Sequence, residues 1–156
     1  MPIYTLETSQ KIPASVEKVW DFISSPHNLK LITPEHMSFE VTTKKLAEKM
    51  YAGMIISYIV KPVYGIKMKW VSEITHVKEP EYFVDEQVSG PYKFWHHSHH
   101  LTEIENGVLM NDIINYKPPF GFIGSIANWL IIRKQLNEIF QYRTNKVEEI
   151  FGKYQS

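Results

Sequence analysis

Cysteine is absent from this chain of 156 residues. Its absence excludes disulfides, thiolate nucleophiles and cysteine-ligated metal sites, and it is compatible with a reducing compartment. An excess of positive charge is also missing, because lysine plus arginine and aspartate plus glutamate each number 17. A neutral chain has little to offer the phosphate backbone of a nucleic acid. We therefore expect no nucleic-acid partner.

Long apolar runs are missing as well. No stretch approaches the roughly 20 apolar residues that span a bilayer, and the start of the chain lacks a basic segment followed by an apolar one. We therefore expect a cytoplasmic protein without stable membrane insertion. Hydrophobic residues make up 44% of the chain and aromatic residues 13%, which is ample material for the core of a single domain over residues 1–156.

The periodicity of apolar residues changes along the chain. Alternation predicts a first strand over residues 4–11, and helical spacing then predicts a helix over 14–23 and a short second helix over about 27–32. Alternation returns in residues 38–44, 54–61 and 66–77; in the last of these the predicted buried face is Ile66, Met68, Trp70 and Ile74. Turn-forming residues at 62–65, 79–81 and 89–91 separate successive strands, which predicts an antiparallel meander over 38–117.

A segment without glycine or proline follows, over residues 125–151. It predicts a helix of roughly 40 Å. Apolar residues recur along one side of it at helical spacing: Trp129, Ile132, Leu136, Ile139, Phe140, Val147 and Ile150. Arg143 falls inside this stripe, and we expect its guanidinium to reach water at a rim of the core.

Four histidines lie close together in the segment 95–101. Because strand side chains alternate between faces, His97 and His99 share one face and His96 and His100 share the other. The first pair has apolar neighbours on its own face, so polar side chains are expected within an otherwise apolar interior.

The sequence Asn106-Gly107 favours a two-residue turn with positive φ at both central positions. Such a turn would pair Glu105 with Val108 and Leu101 with Asp112, and further along it would pair His99 with Ile114 and His97 with Tyr116. One face of this hairpin, which we assign to the interior, then carries Trp95, His97, His99, Leu101, Met110, Asp112, Ile114 and Tyr116.

The segment over residues 12–23, Ile-Pro-Ala-Ser-Val-Glu-Lys-Val-Trp-Asp-Phe-Ile, resembles the opening of the START-like/Bet v1-like (SRPBCC) superfamily, including its polyketide cyclase/dehydrase-type members. The resemblance continues along the whole chain. Within the superfamily, the sequence is similar to a bacterial subgroup of uncharacterised ligand-binding members. The motifs that carry it are Trp95-x-His97-x-His99, Asp112-x-Ile114-x-Tyr116, Pro119-x-Gly121-x-x-Gly124 and Ile139-Phe140-x-Tyr142-Arg143.

This resemblance implies an α+β helix-grip fold. A curved, seven-stranded antiparallel sheet would wrap around a long C-terminal helix, with two short helices after strand 1 and an elongated cavity between sheet and helix. Members of the superfamily bind lipids, sterols, polyketides and plant hormones, and a minority catalyse cyclisation or dehydration. Because one fold serves many functions, the resemblance does not choose among them.

The function we favour is binding of a small hydrophobic or amphipathic molecule in this internal cavity. A volume of several hundred cubic ångströms is expected, opening near the short second helix, residues 62–65 and residues 118–124. The predicted ligand-binding residues are Met68, Trp70, Trp95, His97, His99, Leu101, Met110, Asp112, Ile114, Tyr116, Phe140 and Arg143.

Other interpretations of the interior polar residues stay open. His97 or His99, oriented by Asp112, could act as the general acid or base of a cyclase- or dehydratase-like enzyme. The same residues, with Tyr116 and Arg143, could instead satisfy one another, as buried polar groups must. A closed interior filled by side chains would indicate an interaction or regulatory module.

A divalent metal at His97, His99 and Asp112 is a further alternative. This set offers only two imidazoles and one carboxylate, and the resemblance implies no metal. We therefore predict neither a metal nor a cofactor.

Overall fold

The computed structural model describes residues 2–61, 65–118 and 125–155, with the backbone alone for 125–130. None of the helices in these ranges has the length and apolar character needed to cross a bilayer. Two single turns of 3-10 helix, Pro26–Asn28 and Glu35–Met37, lie between helix α1 and strand β2. The longer elements are β1 (Tyr4–Ile12), α1 (Val16–Ile23), β2 (Glu40–Val41), β3 (Met54–Val60), β4 (Met68–Lys78), β5 (Tyr82–Ser89), β6 (Phe94–Ile104), β7 (Gly107–Lys117) and α2 (Ser125–Phe151).

The strands form one seven-stranded sheet in the order β1-β7-β6-β5-β4-β3-β2. Every neighbouring pair is antiparallel, so β2 to β7 form a meander and β1 pairs with β7 at the far edge. The predicted meander and the predicted bounds of the last helix are both confirmed. The whole is an α+β helix-grip fold.

Helix α1 begins where its sequence provides a cap. The side chain of Ser15 accepts a hydrogen bond from the backbone N–H of Lys18 at 3.4 Å, which satisfies one of the free donors of the first turn. The buried side of this helix is Val16, Val19 and Trp20, at the helical spacing that predicted it.

The second predicted helix, over about 27–32, is wrong beyond its first turn. Only Pro26–Asn28 is helical. The Asn28 side chain donates to the carbonyl of Phe22 at 2.9 Å, and the Thr33 hydroxyl donates to that of Leu29 at 2.7 Å. Such side-chain hydrogen bonds to the backbone compete with a continuous helix.

Two strand predictions also need correction. The strand expected over 38–44 is only Glu40–Val41, because Ser38 has a φ of 48° and because Thr42 and Thr43 both donate to the carbonyl of Ser57, which ends the ladder. The strand expected from residue 66 begins at residue 68. Ile66, expected on the buried face, is 62% exposed.

The register predicted for the β6–β7 hairpin is wrong by two residues. The two turn residues are Glu105 and Asn106, with Ile104 paired to Gly107 and only Asn106 at positive φ. Gly107 serves a different purpose: a Cβ there would lie 2.2 Å from the carbonyl oxygen of Ile12, so the glycine permits close approach of β1.

A shift of two residues keeps every side chain on its predicted face. The interior assignment is therefore confirmed: all eight residues assigned to that face are buried, namely Trp95, His97, His99, Leu101, Met110, Asp112, Ile114 and Tyr116. His96 and His100 point the other way and are only half-buried.

Helix α2 packs against the sheet through an aromatic cluster, whose buried members are Val60, Trp70, Tyr92, Trp95, Ile114, Tyr116, Ile132, Leu136 and Phe140. Val147, further along the helix, joins a second cluster around Trp20 and Phe83. Ile139 is half-buried, and Ile150, expected in the stripe, is 46% exposed one residue before the helix ends. The side chain of Trp129 lies outside the described residues.

Candidate functional site

A cavity of about 150 Å³ lies between the sheet and helix α2. It is smaller than the several hundred cubic ångströms expected, because aromatic rings occupy the space beneath the helix. Trp70 packs edge-on against Trp95 with ring centroids 5.1 Å apart, and Tyr92 lies 4.9 Å from Trp95. The segment after α1 contributes Leu29 and Ile32 to the wall. Of the expected entrances, residues 62–64 and 119–124 lie outside the described residues.

The structure places most of the predicted ligand-binding residues on the cavity wall: Trp70, Trp95, His97, His99, Met110, Asp112, Phe140 and Arg143. Four do not line it. Leu101 belongs to the cluster around Trp20, Ile114 and Tyr116 belong to the aromatic cluster, and Met68 is half-buried at the start of β4.

Four ionisable side chains meet on the cavity wall, and we call Asp85, His97, His99 and Asp112 the His–Asp cluster. The central strand β6 supplies both histidines. Asp85 on β5 pairs with His97, and Asp112 on β7 pairs with His99. Each carboxylate therefore stands directly opposite one histidine and diagonal to the other.

The two imidazole rings lie against each other, with centroids 3.8 Å apart. Each ring has one nitrogen near Asp112 and the other near Asp85. Asp112 Oδ1 lies 3.2 Å from His97 Nε2 and 2.6 Å from His99 Nδ1. Asp85 Oδ1 lies 3.5 Å from His97 Nδ1 and 3.1 Å from His99 Nε2. Every imidazole nitrogen of the cluster thus has a carboxylate oxygen within ion-pair distance.

Burial and charge act differently on the two histidines. Burial, with the neighbouring charge of His99, lowers the pKa of His97 to about 4. Burial also acts to lower the pKa of His99, but Asp112 and Asp85 outweigh it and raise that pKa above its usual value. The histidines in turn overcome the effect of burial on the carboxylates, so that the pKa of Asp85 is lowered and that of Asp112 lies well below its ordinary range. These shifts favour the neutral form of His97 and the charged form of His99.

Arg143, expected to place its guanidinium at a rim of the core, is half-buried on helix α2. Its guanidinium lies over the ring of Phe140, 4.8 Å from the centroid, and the side chain lines the cavity. The Nε atom is buried and has no hydrogen-bond partner among the described residues. Arg143 also helps to lower the pKa of Asp85, so its positive charge acts on the same end of the cavity.

Hydroxyl groups line the cavity beside the His–Asp cluster. The indole N–H of Trp70 donates to Ser72 Oγ at 3.0 Å, and Ser72 Oγ is also 3.0 Å from the hydroxyl of Tyr58. Burial and the nearby charge of Asp85 raise the pKa of Tyr58, so this phenol stays protonated. Tyr116, expected in the polar network, packs on Tyr4 and Tyr92 instead.

Asp85 is the member of the His–Asp cluster that sequence reasoning missed. The signal was its even spacing from Phe83, which marks both for the inner face of β5. Phe83 is buried and stacks on His99 with centroids 4.1 Å apart. A carboxylate two residues from a core phenylalanine is the pattern that could have identified it.

A family model described as polyketide cyclase / dehydrase and lipid transport matches residues 12–139. The chain belongs to this family. The resemblance to the START-like/Bet v1-like superfamily is thereby confirmed, and members of this family generally bind hydrophobic ligands. No curated protein shows significant similarity to the chain.

Solved structures share its fold at low identity. Protein CV1439 from Chromobacterium violaceum is 13% identical, with a TM-score of 0.71 over 96% of this chain and 99% of that one. A START superfamily protein from Mycobacterium smegmatis is 10% identical, with a TM-score of 0.68 over 94% and 98%. Major latex-like protein 151 from Panax ginseng is 16% identical, with a TM-score of 0.67 over 96% and 97%. At such identities the likeness concerns the fold alone.

Proposed function

We propose that this protein binds a small hydrophobic or amphipathic molecule in the cavity between the sheet and helix α2. The observation that carries this proposal is the cavity itself, a partly open space of about 150 Å³ whose wall is largely aromatic and aliphatic. Apolar area of this kind supplies affinity, while a few polar groups fix the orientation of the ligand.

The dimensions of the cavity restrict the ligand. An apolar cavity of about 150 Å³ holds a molecule of roughly one aromatic ring. The His–Asp cluster and the Tyr58 hydroxyl add hydrogen-bonding groups to the wall. The best fit is therefore a single-ring aromatic or short-chain compound with a hydroxyl or carbonyl group at one end.

The test uses the intrinsic fluorescence of Trp70 and Trp95, both of which line the cavity. Titration with a series from phenol to bicyclic aromatics and short fatty acids should show saturable quenching that is strongest for the single-ring compounds. Ile56→Phe, on the cavity wall, should fill the space and abolish binding. Ile55→Phe is the matched control, since Ile55 is 46% exposed on the other face of the same strand.

Two results would count against ligand binding. One is the absence of saturable quenching by any compound of the series, which would favour an interaction or regulatory module with a closed core. The other is equal binding by the Ile56→Phe and Ile55→Phe variants, because a ligand in the cavity must compete with the added ring.

A second candidate function is a cyclase- or dehydratase-like reaction. The observation that favours it is a neutral, buried His97 held by Asp112 on the cavity wall, with its pKa lowered to about 4 by burial and by His99. A neutral imidazole can accept a proton from the carbon atom next to a ketone carbonyl. Incubation with a short β-hydroxyketone should then show loss of water to the α,β-unsaturated ketone by mass spectrometry, and this reaction should be lost in His97→Asn although phenol binding persists. Retention of the hydroxyketone unchanged would leave the binding function alone.

A further inference from the structure

The His–Asp cluster has a property that ligand binding does not require. One donor atom from each of Asp85, His97 and His99 lies within 4.8 Å of the other two. The three residues come from two neighbouring strands in fixed register, His97 opposite Asp85 and His99 two positions along the same face. Their convergence is therefore set by the sheet and not by a loop.

The spacing of these atoms suits one small cation. Ligand atoms around a tetrahedral ion at about 2.0–2.2 Å lie roughly 3.3–3.6 Å apart. Asp85 Oδ1 is 3.5 Å from His97 Nδ1 and 3.1 Å from His99 Nε2. Both distances are close to the spacing of neighbouring ligands, and the two histidine nitrogens lie within 4.8 Å of each other, so a shared ion would be reached by adjustment of these side chains.

Asp112 contacts the two ring nitrogens that do not face Asp85. Its Oδ1 lies 3.2 Å from His97 Nε2 and 2.6 Å from His99 Nδ1, and the side chain is only 3% exposed. Carboxylates placed in this way accept the N–H of metal-ligating histidines and fix their tautomers. If Asp112 accepts one N–H from each ring, the remaining nitrogens direct their lone pairs toward Asp85.

Without a metal ion, a proton on His99 Nε2 supplies positive charge beside Asp85, and a metal ion would displace that proton. Two nitrogen lone pairs and a carboxylate oxygen repel one another unless a proton or a metal ion lies between them. A proton can bridge only one nitrogen to the carboxylate, whereas a metal ion can bond all three atoms. The cluster is thus complementary to a cation with three protein ligands.

We propose that Asp85, His97 and His99 bind a divalent transition-metal ion, with Asp112 orienting both imidazoles. Two imidazoles and one carboxylate suit Zn²⁺, Co²⁺ or Fe²⁺, whereas Mg²⁺ and Ca²⁺ prefer oxygen ligands alone. This site goes beyond the proposed function. Its carboxylate ligand is Asp85, and not Asp112 as considered from the sequence, because Asp112 faces the other side of the imidazole rings.

Three protein ligands leave a coordination position for another molecule. All four members of the His–Asp cluster line the cavity, and the Asp85 side chain is 17% exposed, more than those of His97 and His99. A hydroxyl or carbonyl group in the cavity could therefore reach the ion. Catalytic metal sites keep a position open in this way, whereas structural sites are closed.

The test measures the metal alone, on the full chain stripped with a chelator. Titration with ZnCl₂ by calorimetry should show one equivalent bound with micromolar or tighter affinity. CoCl₂ should give the visible absorption of a low-symmetry site with nitrogen and oxygen ligands. Asp112→Asn should weaken Zn²⁺ binding by about 10–100-fold, and Asp85→Asn, which removes a direct ligand while keeping the side-chain shape, should weaken it more.

The matched control is the double variant His96→Gln/His100→Gln, which removes the two histidines on the other face of the same strand. Zn²⁺ affinity and the Co²⁺ spectrum should be unchanged in it. The proposal is overturned if the wild-type chain binds no stoichiometric Zn²⁺, or if Asp85→Asn binds as tightly as wild type while folded by circular dichroism. Loss of binding only in the control would also overturn it, since the ion would then lie on the surface. Quenching by phenol reports the cavity separately, so failure of the metal site leaves the proposed function testable.

Discussion

Strand β6 carries two pairs of histidines that differ only in the side of the sheet they face. His97 and His99 are 4% and 8% exposed and lie among carboxylates. His96 and His100 are half-buried; His96 Nε2 is 4.0 Å from Glu86, and the ring of His100 stacks on Tyr82. The same residue type, one position apart, is thus part of a buried charge cluster or of a partly solvated surface. The strand's alternation decides which chemistry each histidine has.

The largest effect is expected in helix α2, which covers His97 and His99 on the inner face of the sheet. Leu136→Asp should abolish cooperative folding, because it buries an unpaired charge at a position that is 3% exposed. Ile131→Asp is the matched control at a position that is 37% exposed, and it should leave the unfolding transition in place. Circular dichroism during urea unfolding distinguishes the two. A folded Leu136→Asp variant would contradict the packing of α2 against the sheet.

A smaller effect is expected from removing the inner carboxylate of β7. Asp112→Ala leaves two buried imidazoles without their shared acceptor, and it should lower the free energy of unfolding by about 3–5 kcal/mol. The neighbouring residue Asn111 points to the outer face, and Asn111→Ala should cost less than about 0.5 kcal/mol. Equal losses in the two variants would mean that the buried charges do not stabilise one another.

The hairpin turn keeps both histidine pairs on their faces, and its geometry can be tested next. Gly107→Ala should destabilise by about 1–3 kcal/mol, since the new methyl group would meet the Ile12 carbonyl at 2.2 Å and backbone cannot easily give way. Asn106→Gly should change stability by less than about 0.5 kcal/mol, because glycine readily adopts the φ of 60° found there. A cost for Gly107→Ala no larger than that for Asn106→Gly would contradict the close approach of Ile12 to the turn.

The smallest effect is expected on the outer face. His100→Ala removes a half-buried ring that stacks on Tyr82, 5.5 Å between centroids. Its cost should be about 0.5 kcal/mol or less, measured from the shift of the urea midpoint. A loss as large as that of Asp112→Ala would erase the contrast between the two faces.

Patterns of period two and period 3.6 were sufficient to predict much of the fold. They identified the antiparallel meander and the inner face of the β6–β7 hairpin, because the alternation that marks a buried face is local in the sequence. The bounds of α2 came from the run without glycine or proline. Ile66 and Ile150 were assigned to buried faces and are exposed, since both lie at or beyond the ends of their elements, where periodicity no longer reports packing.

Long-range contacts account for the rest. The glycine of Asn106-Gly107 matches a common turn, but its position is required by β1, which arrives from the other end of the chain. Asp85 could not be placed beside His97 from sequence, because the register between β5 and β6 depends on the connection over 90–93. The candidate site was therefore only half predictable: its histidines and Asp112 follow from one hairpin, and Asp85 comes from a strand outside it.

The hydrogen bond between the hydroxyls of Ser72 and Tyr58 can form in either direction, with Ser72 or Tyr58 as the donor. Ser72 Oγ accepts the indole N–H of Trp70, so the Ser72 hydroxyl can donate its own proton to Tyr58. In that state the O–H of Tyr58 is free to point into the cavity as a donor. When Tyr58 donates to Ser72 instead, the phenol oxygen keeps its lone pairs for a guest. One rotation of two O–H bonds thus lets the same wall receive a carbonyl or a hydroxyl, without moving a heavy atom.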